Sequence, residues 1–438
     1  MNRRILALLL LAAVLLSGCS GLTVDEMYCL PRRSEDYNDL QSAIDKAMTN
    51  LEYCAPLAGE NQQTVQMADL DGDGLQEYLL FAKGTMEKPL RILIFDYVND
   101  SYLHTETIEC NGSAFDLVEY VQMDDAPGME IVVGRQLSDQ VLRSVSVYTL
   151  IQGEAEQLLS VNYTEFLTLN MDDDDRTELF VLCPGQSDAD NGIAVFYGVE
   201  SGAVVRSNEA DMSAAADKLK RVVAGKLHGG ETAVYAASAV GDTAIITDVY
   251  ALVDDKLTNV TFSNESGTSV QTIRNYYVYA DDIDDDGVME LPCLINMSML
   301  EGADSTDKHD LIRWYAMTAD GKEVDKMHTF HNFVGGWYIR LDSQWAERLT
   351  VQNFGNRYEF YLWDKNYQKA ERIMTIFAFA GQNREEQGTA ESRFILYRTE
   401  SVVYAAKLEA AAGEYDIYQQ TLVDSFRLIH QDWKTGET

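Results

Sequence analysis

The amino-acid sequence predicts a mainly β protein built from a repeated unit, with a small α+β domain at its C-terminal end. Three observations support this prediction. Short runs rich in Val, Ile, Tyr, Leu and Phe alternate with clusters of Asp, Asn and Gly, which is typical of many short strands joined by turns. An aspartate-rich segment recurs at regular intervals between residues 69 and 290. Composition and charge then change near residue 330.

The first residues have the parts of an export signal. The basic pair Arg3-Arg4 precedes an apolar run from Ile5 to Leu16, which is too short to span a bilayer as a mature helix. The tetrapeptide Leu16-Ser17-Gly18-Cys19 resembles the bacterial lipobox, which implies cleavage before Cys19 and attachment of diacylglycerol to its sulfur. We therefore expect residues 1–18 to be a signal peptide and a lipid on Cys19 to hold the protein on a cell membrane, facing outside the cytoplasm. An ordinary signal peptide with a chance cysteine is the alternative.

Residues 19–64 are predicted to hold the anchor segment and one amphipathic helix. From Ser34, a candidate N-cap, to about Leu51, apolar residues recur at intervals of three and four. These apolar residues are Leu40, Ala43, Ile44, Ala47, Met48 and Leu51.

The aspartate-rich segment is best preserved in two copies, Asp69 to Glu77 and Asp282 to Glu290, and each leads into an apolar run. Carboxylates on alternate residues, a glycine at a sharp turn and a closing acid form an all-oxygen cage suited to a hard cation. Closing acids also stand at Glu130 and Glu178, so the separations along the chain are 53, 48 and 112 residues. The last interval equals two periods of 56, and a degenerate copy from Gly225 to Tyr235 fills it. This period is near the size of a four-stranded propeller blade.

The repeated unit resembles the FG-GAP/VCBS-type repeat of integrin-alpha-like β-propellers, over roughly residues 65–330 and in about five copies. The Phe-Gly and Gly-Ala-Pro signatures of that family are absent from residues 65–330. The resemblance implies calcium (Ca2+) at the blade rims and a ring of five blades or more. Carried over to this sequence, it implies ligand sets in three loops. These are Asp69, Asp71, Asp73, the Leu75 carbonyl and Glu77; Asp282, Asp284, Asp286, the Val288 carbonyl and Glu290; and Asn170, Asp172, Asp174 and Glu178.

The third of these sets has Asp175 where glycine is expected, so we expect strain in its turn. The copies that end at Glu130 and Glu231 have lost ligands, and we interpret them as structural turns without metal.

The formal net charge of −37 excludes nucleic acid as a partner. The charge is uneven, because residues 331–438 contain 12 Lys and Arg against 15 Asp and Glu, whereas the preceding part contains 22 against 56. We therefore expect a domain boundary near residue 330, with an α+β domain from 331 to 438 that ends in a helical stretch from Ile417 to Ile429.

Other candidate sites are weaker. Cys29 and Cys54 could pair outside the cytoplasm or remain free thiols, and both possibilities stay open. His328 and His331 lie close together, but two imidazoles without an acid or thiol in register are usually structural. The chain has no Gly-x-Ser-x-Gly elbow, phosphate-binding loop or His-Glu-x-x-His motif, and we expect no catalytic residue from a sequence motif.

Together these features predict a calcium-binding, membrane-anchored module that acts in binding or as a scaffold at the cell surface, with a protein or carbohydrate ligand. The alternative is a secreted hydrolase that acts on cell-surface polysaccharide or peptide. Two carboxylates with raised pKa values in a channel would favour the enzyme.

Overall fold

The computed structural model describes residues 35–137, 142–187, 190–200, 202–275, 278–303 and 308–429. The signal peptide, Cys19 and Cys29 lie outside these residues, so the lipid anchor and the Cys29–Cys54 pair stay predictions. No helix in the described part of the chain is long and apolar enough to cross a membrane.

The protein is mainly β, as predicted, and contains six antiparallel sheets that follow one another along the chain. Sheet 1 consists of β1 (Glu52–Tyr53), β2 (Val65–Ala68), β3 (Glu77–Lys83), β4 (Leu90–Val98) and β5 (Ser101–Cys110). Sheet 2 consists of β6 (Ala114–Val121), β7 (Glu130–Gln136), β8 (Arg143–Ile151) and β9 (Glu154–Tyr163). Sheet 3 consists of β10 (Glu165–Leu169), β11 (Glu178–Cys183), β12 (Ile193–Glu200) and β13 (Ala203–Asp211).

Sheet 4 consists of β14 (Leu219–Lys226), β15 (Thr232–Val240), β16 (Ala244–Val253) and β17 (Lys256–Asn259). Sheet 5 consists of β18 (Glu290–Asn296), β19 (Asp310–Met317), β20 (Glu323–Asn332), β21 (Trp337–Leu341) and β27 (Phe426–Leu428). Sheet 6 consists of β22 (Leu349–Asn353), β23 (Arg357–Trp363), β24 (Ala370–Ala380), β25 (Phe394–Arg398) and β26 (Val402–Leu408).

The described residues also form three α-helices: α1 (Glu35–Ala47), α2 (Arg384–Thr389) and α3 (Gln419–Ser425). The predicted N-terminal helix is confirmed, and it ends before Asn50, whose φ of 62° is left-handed. The same part of the chain contains short 3-10 turns at Ala216–Lys218, Val270–Thr272, Ala346–Arg348 and Ala410–Tyr415.

Sheet 5 continues across the expected domain boundary. Residues 330 and 331 both lie inside β20, and β27 returns from the C-terminal part of the chain to pair with β21. The prediction of one helix from Ile417 to Ile429 is wrong in its second half, because Phe426 pairs with Ile339 and stacks on Trp337 with ring centroids 5.6 Å apart. Burial of this ring in the core favours a strand over a longer helix.

Each sheet packs face to face against the next through a buried apolar cluster, and aromatic rings meet at most of these interfaces. The ring pairs, with centroid separations, are Phe81–Phe115 (5.1 Å), Tyr163–Phe166 (5.0 Å), Phe180–Tyr250 (5.5 Å) and Phe330–Phe360 (5.2 Å). Between sheets 4 and 5 the cluster contains Tyr235 and Tyr315. The core is therefore a series of inter-sheet layers.

The two outermost faces of this series are covered by helices. In β3, Leu79 and Phe81 face sheet 2, whereas Leu80 and Ala82 point the opposite way and pack against α1. In sheet 6, α2 lies over Val403. Among the described residues, no buried apolar cluster contains side chains of both sheet 1 and sheet 6.

Candidate metal centres and a polar cavity

In sheets 1, 2 and 3 an aspartate-rich segment connects two paired strands, whereas in sheet 5 it precedes β18, with a single bridge between Asp281 and Glu290 before it. We call these segments loop 1 (Asp69–Glu77), loop 2 (Gln122–Glu130), loop 3 (Asn170–Glu178) and loop 5 (Asp282–Glu290). In each, the closing glutamate is the first residue of the following strand, namely β3, β7, β11 or β18. The corresponding turn of sheet 4, loop 4, is short and runs from Leu227 to Glu231.

The closing glutamates share one hydrogen bond that the sequence did not reveal. Oε2 of each accepts the backbone N–H of the second loop residue, so the carboxylate closes the loop on itself. The four donors and their distances are Leu70 (2.6 Å), Met123 (2.9 Å), Met171 (3.0 Å) and Ile283 (3.0 Å). This bond is present even in loop 2, so the closing acid is a structural residue whether or not a metal binds.

Loop 1 brings one carboxylate oxygen each of Asp69, Asp71 and Glu77 within 4.8 Å of one another. Glu77 is only 1% exposed, and its Oε1 has no hydrogen-bond partner. Asp73 is not part of this cluster, and its carboxylate accepts the Leu75 N–H at 2.7 Å. A buried carboxylate oxygen with no donor is costly unless a cation satisfies it, so these residues fit a calcium ion.

Loop 5 gathers Asp282, Asp284 and Glu290 in the same way. Glu290 Oε1 and Asp284 Oδ1 are buried and lack a hydrogen-bond partner. Unlike loop 1, this loop receives a lysine from its own sheet: Lys326 Nζ contacts Asp286 and lies 3.6 Å from Glu290 Oε1. The sequence pattern of the loop contains no sign of this lysine.

Loop 3 gathers Asp172, Asp174 and Glu178. The amide of Asn170 hydrogen-bonds to the Asp174 carbonyl, and Arg176 Nε donates to Asp174 Oδ2 at 2.7 Å.

The expectation of strain at Asp175 is wrong. Asp173, with φ of 64°, takes the left-handed conformation in loop 3, as Gly72 (73°) does in loop 1, and Asp175 is not among the described residues of positive φ. Asp tolerates this conformation better than most residues that carry a side chain.

Loops 2 and 4 form no cluster of three metal-ligating side chains among the described residues. In loop 2, Thr149 Oγ1 donates to Glu130 Oε1 at 3.4 Å, so the oxygen that is unsatisfied in loop 1 has a protein partner here. In loop 4 a tight turn places Gly230 at φ of 97°.

Burial raises the pKa of the closing glutamates. It raises the pKa of Glu77 to about 7, with a smaller contribution from Asp71, and the pKa of Glu178 to about 7. The pKa of Glu290 rises to about 8, again mainly through burial. In contrast, the Lys326 hydrogen bond lowers the pKa of Asp286. Metal binding to loops 1 and 5 would therefore compete with protons near neutral pH.

Neighbouring loops are joined by backbone hydrogen bonds across the inter-sheet boundary. The N–H before the closing glutamate of one loop donates to the preceding loop: Met129 to Asp69 (3.1 Å) and Thr177 to Gln122 (2.8 Å). Met289 donates to Lys226 at 2.9 Å, beside loop 4. Gly128 is required for this approach, because a Cβ there would lie 2.1 Å from the Leu70 carbonyl oxygen. The loops thus connect sheets as well as strands.

At the opposite end of sheets 2, 3 and 4 lies a cavity of about 870 Å³. Its lining includes Arg143, Glu165 and Lys220, which stand at or near the starts of β8, β10 and β14, whereas loops 3 and 4 follow the ends of β10 and β14. Beneath it, Asp116 accepts a hydrogen bond from the Tyr163 hydroxyl at 2.5 Å and lies 3.5 Å from Arg143. Burial raises the pKa of Glu165, opposed by Arg143. No sequence motif marks these residues.

The two histidines of β20 are buried, and their rings contact other side chains of the protein. His331 stacks on Tyr338 with ring centroids 4.8 Å apart, and burial lowers its pKa to about 3. His328 Nδ1 lies 3.1 Å from Ser343 Oγ. Neither belongs to a metal-ligand group among the described residues. Among the described residues, Cys54, Cys110, Cys183 and Cys293 form no disulfide with one another.

No protein-family model matches this chain, and no curated protein matches it. Among solved structures, the exotype rhamnogalacturonan lyase YesX aligns at 13% identity, with 74% of this chain and 68% of that chain covered and a TM-score of 0.27. A protein from Lactobacillus plantarum aligns at 11% identity (73% and 86% covered, TM-score 0.26). Rhamnogalacturonan lyase PL11 from Bacillus licheniformis aligns at 11% identity (74% and 72% covered, TM-score 0.29). TM-scores of this size do not establish a common fold or activity.

Proposed function

We propose that this protein is an exported scaffold or binding module, anchored to a membrane through a lipid on Cys19, whose consecutive sheets are stabilised by calcium. Sheets 1 to 5 correspond to the five copies of the FG-GAP/VCBS-type repeat expected over roughly residues 65–330. The observation that carries the proposal is the buried Oε1 of Glu77, which has no hydrogen-bond partner and belongs to a cluster of three carboxylates.

Calcium suits this cluster better than a transition metal. All of the clustered ligands are carboxylate oxygens, which a hard cation with flexible coordination prefers, and no His or Cys belongs to any of the three clusters. The backbone of loop 1 is already held in its turn without a metal, because Asp69 accepts N–H bonds from Gly72 (2.8 Å) and Gly74 (3.1 Å). A cation would therefore meet a preorganised cage.

The position of loop 1 explains why its metal would matter for the scaffold. Its Asp69 carbonyl accepts the inter-sheet bond from Met129, so an ion that fixes loop 1 also fixes the boundary between sheets 1 and 2. Hydrogen exchange tests this: calcium should slow exchange at Met129 relative to chelator, while amides within β24 of sheet 6 serve as the internal reference. Equal exchange at Met129 in calcium and in chelator would refute the proposal.

The membrane anchor has its own test. Replacing Cys19 with Ser should release the protein from membranes or leave the signal peptide uncleaved, as judged by fractionation and the size of the chain. A cleaved Cys19→Ser protein that stays on the membrane would refute lipid attachment.

A second candidate function is a secreted hydrolase acting on cell-surface polysaccharide or peptide, and the cavity at sheets 2–4 favours it. Its volume of about 870 Å³ is in the range of small-molecule sites. Glu165 supplies a carboxyl of raised pKa, as a general acid requires, and Asp116 supplies a second acid held by Tyr163.

Product release from purified cell-wall polysaccharide or peptide tests this candidate. Glu165→Gln should abolish turnover, whereas Asp217→Asn at the same cavity should retain it. No product from the unmodified protein, or equal rates with Glu165→Gln, would exclude the enzyme.

A further inference from the structure

Loop 5 differs from loop 1 in containing a cation from the protein itself. Lys326 lies on β20, two strands away from β18, and its side chain is only 14% exposed. Its ammonium contacts Asp286 and lies 3.6 Å from Glu290 Oε1. These are two of the acids that form the expected calcium ligands, so the ammonium lies at the cage and not in solvent.

A second cation of the same sheet forms an ion pair with an exposed aspartate of loop 5. Arg340, on β21, lies 2.9 Å from Asp285, the left-handed residue of the turn. Sheet 5 therefore supplies two positive charges to the acids of loop 5.

Loop 1 has no such neutralisation. Among the described residues, no Lys, Arg or His nitrogen lies within 4.0 Å of a carboxylate of Asp69, Asp71, Asp73 or Glu77. Loop 3 also receives two cations: Arg176 of the loop itself binds Asp174, and Lys226 lies 3.8 Å from Asp173. Loops 3 and 5 thus each receive two positive charges from the described residues, but only in loop 5 does one of them lie beside the closing glutamate.

We propose that Lys326 is a tethered cation that occupies the calcium position of loop 5, so that this loop binds calcium only when the ammonium withdraws and loop 1 responds to calcium first. The inference rests on the proposed calcium binding of the loops. The physical reason is Coulombic: an ammonium that contacts Asp286 and lies 3.6 Å from Glu290 Oε1 repels an incoming divalent cation. The affinity of carboxylate calcium sites is set largely by the net charge of their ligands.

The tethered cation has a use in the absence of calcium. A lysine charge 3.6 Å from Glu290 Oε1 offsets the charge of this buried carboxylate without calcium, whereas Glu77 of loop 1 has no such cation among the described residues. Loop 5 would then be a constitutive connection of the scaffold and loop 1 a calcium-dependent one.

Calcium titration calorimetry on the whole exported chain tests this inference. The background combines Asp71→Asn with Asp172→Asn, which removes one clustered carboxylate from each of loops 1 and 3 so that loop 5 can be measured. In that background, Lys326→Met should tighten calcium binding about tenfold or more, and Lys326→Arg, which keeps the charge, should not. Lys322→Met is the matched control, because Lys322 lies in the turn before β20 and pairs with Asp320 at 2.5 Å, away from the loop.

A second measurement tests the inference through thermal stability as well as through calcium affinity. In chelator, Lys326→Met should melt at a lower temperature than Lys322→Met, and added calcium should reverse that order. Calcium affinity of Lys326→Met within twofold of its background, or weaker than it, would overturn this inference while leaving calcium binding at loop 1 intact. Absence of calcium binding in every variant, including the unmodified protein, would instead overturn the proposed function together with the inference.

Discussion

Substituting Asp71 by Asn should remove most of the calcium-dependent stability contributed by loop 1. Asp71 is one of the three clustered carboxylates, and Asn keeps the oxygen that accepts the Asp73 N–H at 3.1 Å. The local turn is therefore preserved while one negative charge of the cage is lost. The substitution tests metal binding and not loop folding.

The expected size follows from mass action. If the site binds calcium with a dissociation constant near 0.1 mM, as extracellular sites do, 10 mM calcium stabilises the folded protein by about 2.7 kcal/mol. Unfolding entropy near 2.1 cal/mol/K per residue gives about 0.9 kcal/mol/K for 438 residues. Calcium should therefore raise the melting temperature of the unmodified protein by about 3 °C through loop 1, and Asp71→Asn should abolish that increment.

The matched control is Asp124→Asn in loop 2. Asp124 occupies the same loop position and accepts the Ala126 N–H at 2.7 Å, but its loop has no carboxylate cluster. Thermal melts in calcium and in chelator should show the full calcium shift for Asp124→Asn and little for Asp71→Asn. An undiminished shift in Asp71→Asn, or an equal loss in both variants, would refute the assignment of loop 1.

Three further predictions concern protons and packing. Because burial raises the pKa of Glu77 to about 7, calcium binding at loop 1 should weaken about tenfold between pH 8 and pH 6 in calorimetric titrations, and a pH-independent affinity would contradict this. His331 is neutral in the fold, since burial lowers its pKa to about 3; its contribution to stability is therefore complete above pH 6.5 and is lost as the pH falls from 6.5 towards 3. By pH 4.5 the loss of folding stability is about 2.7 kcal/mol. In thermal melts, acid should therefore lower the melting temperature of His331→Phe less than that of the unmodified protein. Equal acid sensitivity of the two proteins would contradict this prediction. Gly128→Ala should destabilise the fold by about 1–3 kcal/mol in denaturant titrations, because its Cβ would clash with loop 1. The control is Gly198→Ala, whose Cβ would meet nothing closer than 3.6 Å and whose stability should change by no more than about 0.5 kcal/mol. Equal effects of the two substitutions would show that the close approach at Gly128 is not required.

The loops were predictable from the sequence because the interactions that shape them are local. Asp69 binds the N–H of Gly72 three residues on, and Asp73 binds that of Leu75 two residues on. A pattern within nine residues therefore determines the turn and the start of the next strand. The same locality explains why the mainly β fold and the helix near Leu40 could be read from spacing alone.

What the sequence did not reveal depends on contacts between distant residues. Lys326 lies 40 residues beyond Asp286, and nothing near it distinguishes it from a surface lysine. Gly128 reads as a turn glycine, but the structure shows that it makes room for the loop of the preceding sheet. Sheet 6 has no acidic loop at all, since β22 and β23 are joined by a short turn at Gly355 with φ of 77°. The number of acidic loops is therefore smaller than the number of sheets.

The surroundings of the first and last sheets bear on the importance of the acidic loops. In a ring whose last blade packs on its first, every sheet is held from both sides, and the loss of one boundary is limited by the others. Here α1 packs on the outer face of sheet 1, α2 contacts the outer face of sheet 6, and no apolar cluster of the described residues joins these two sheets. Each boundary between consecutive sheets therefore depends strongly on its own contacts, as in repeat proteins whose units contact only their neighbours. The inter-sheet bond from Met129 to loop 1 lies at the first such boundary, where an ion that orders Asp69 would act on sheets 1 and 2 together.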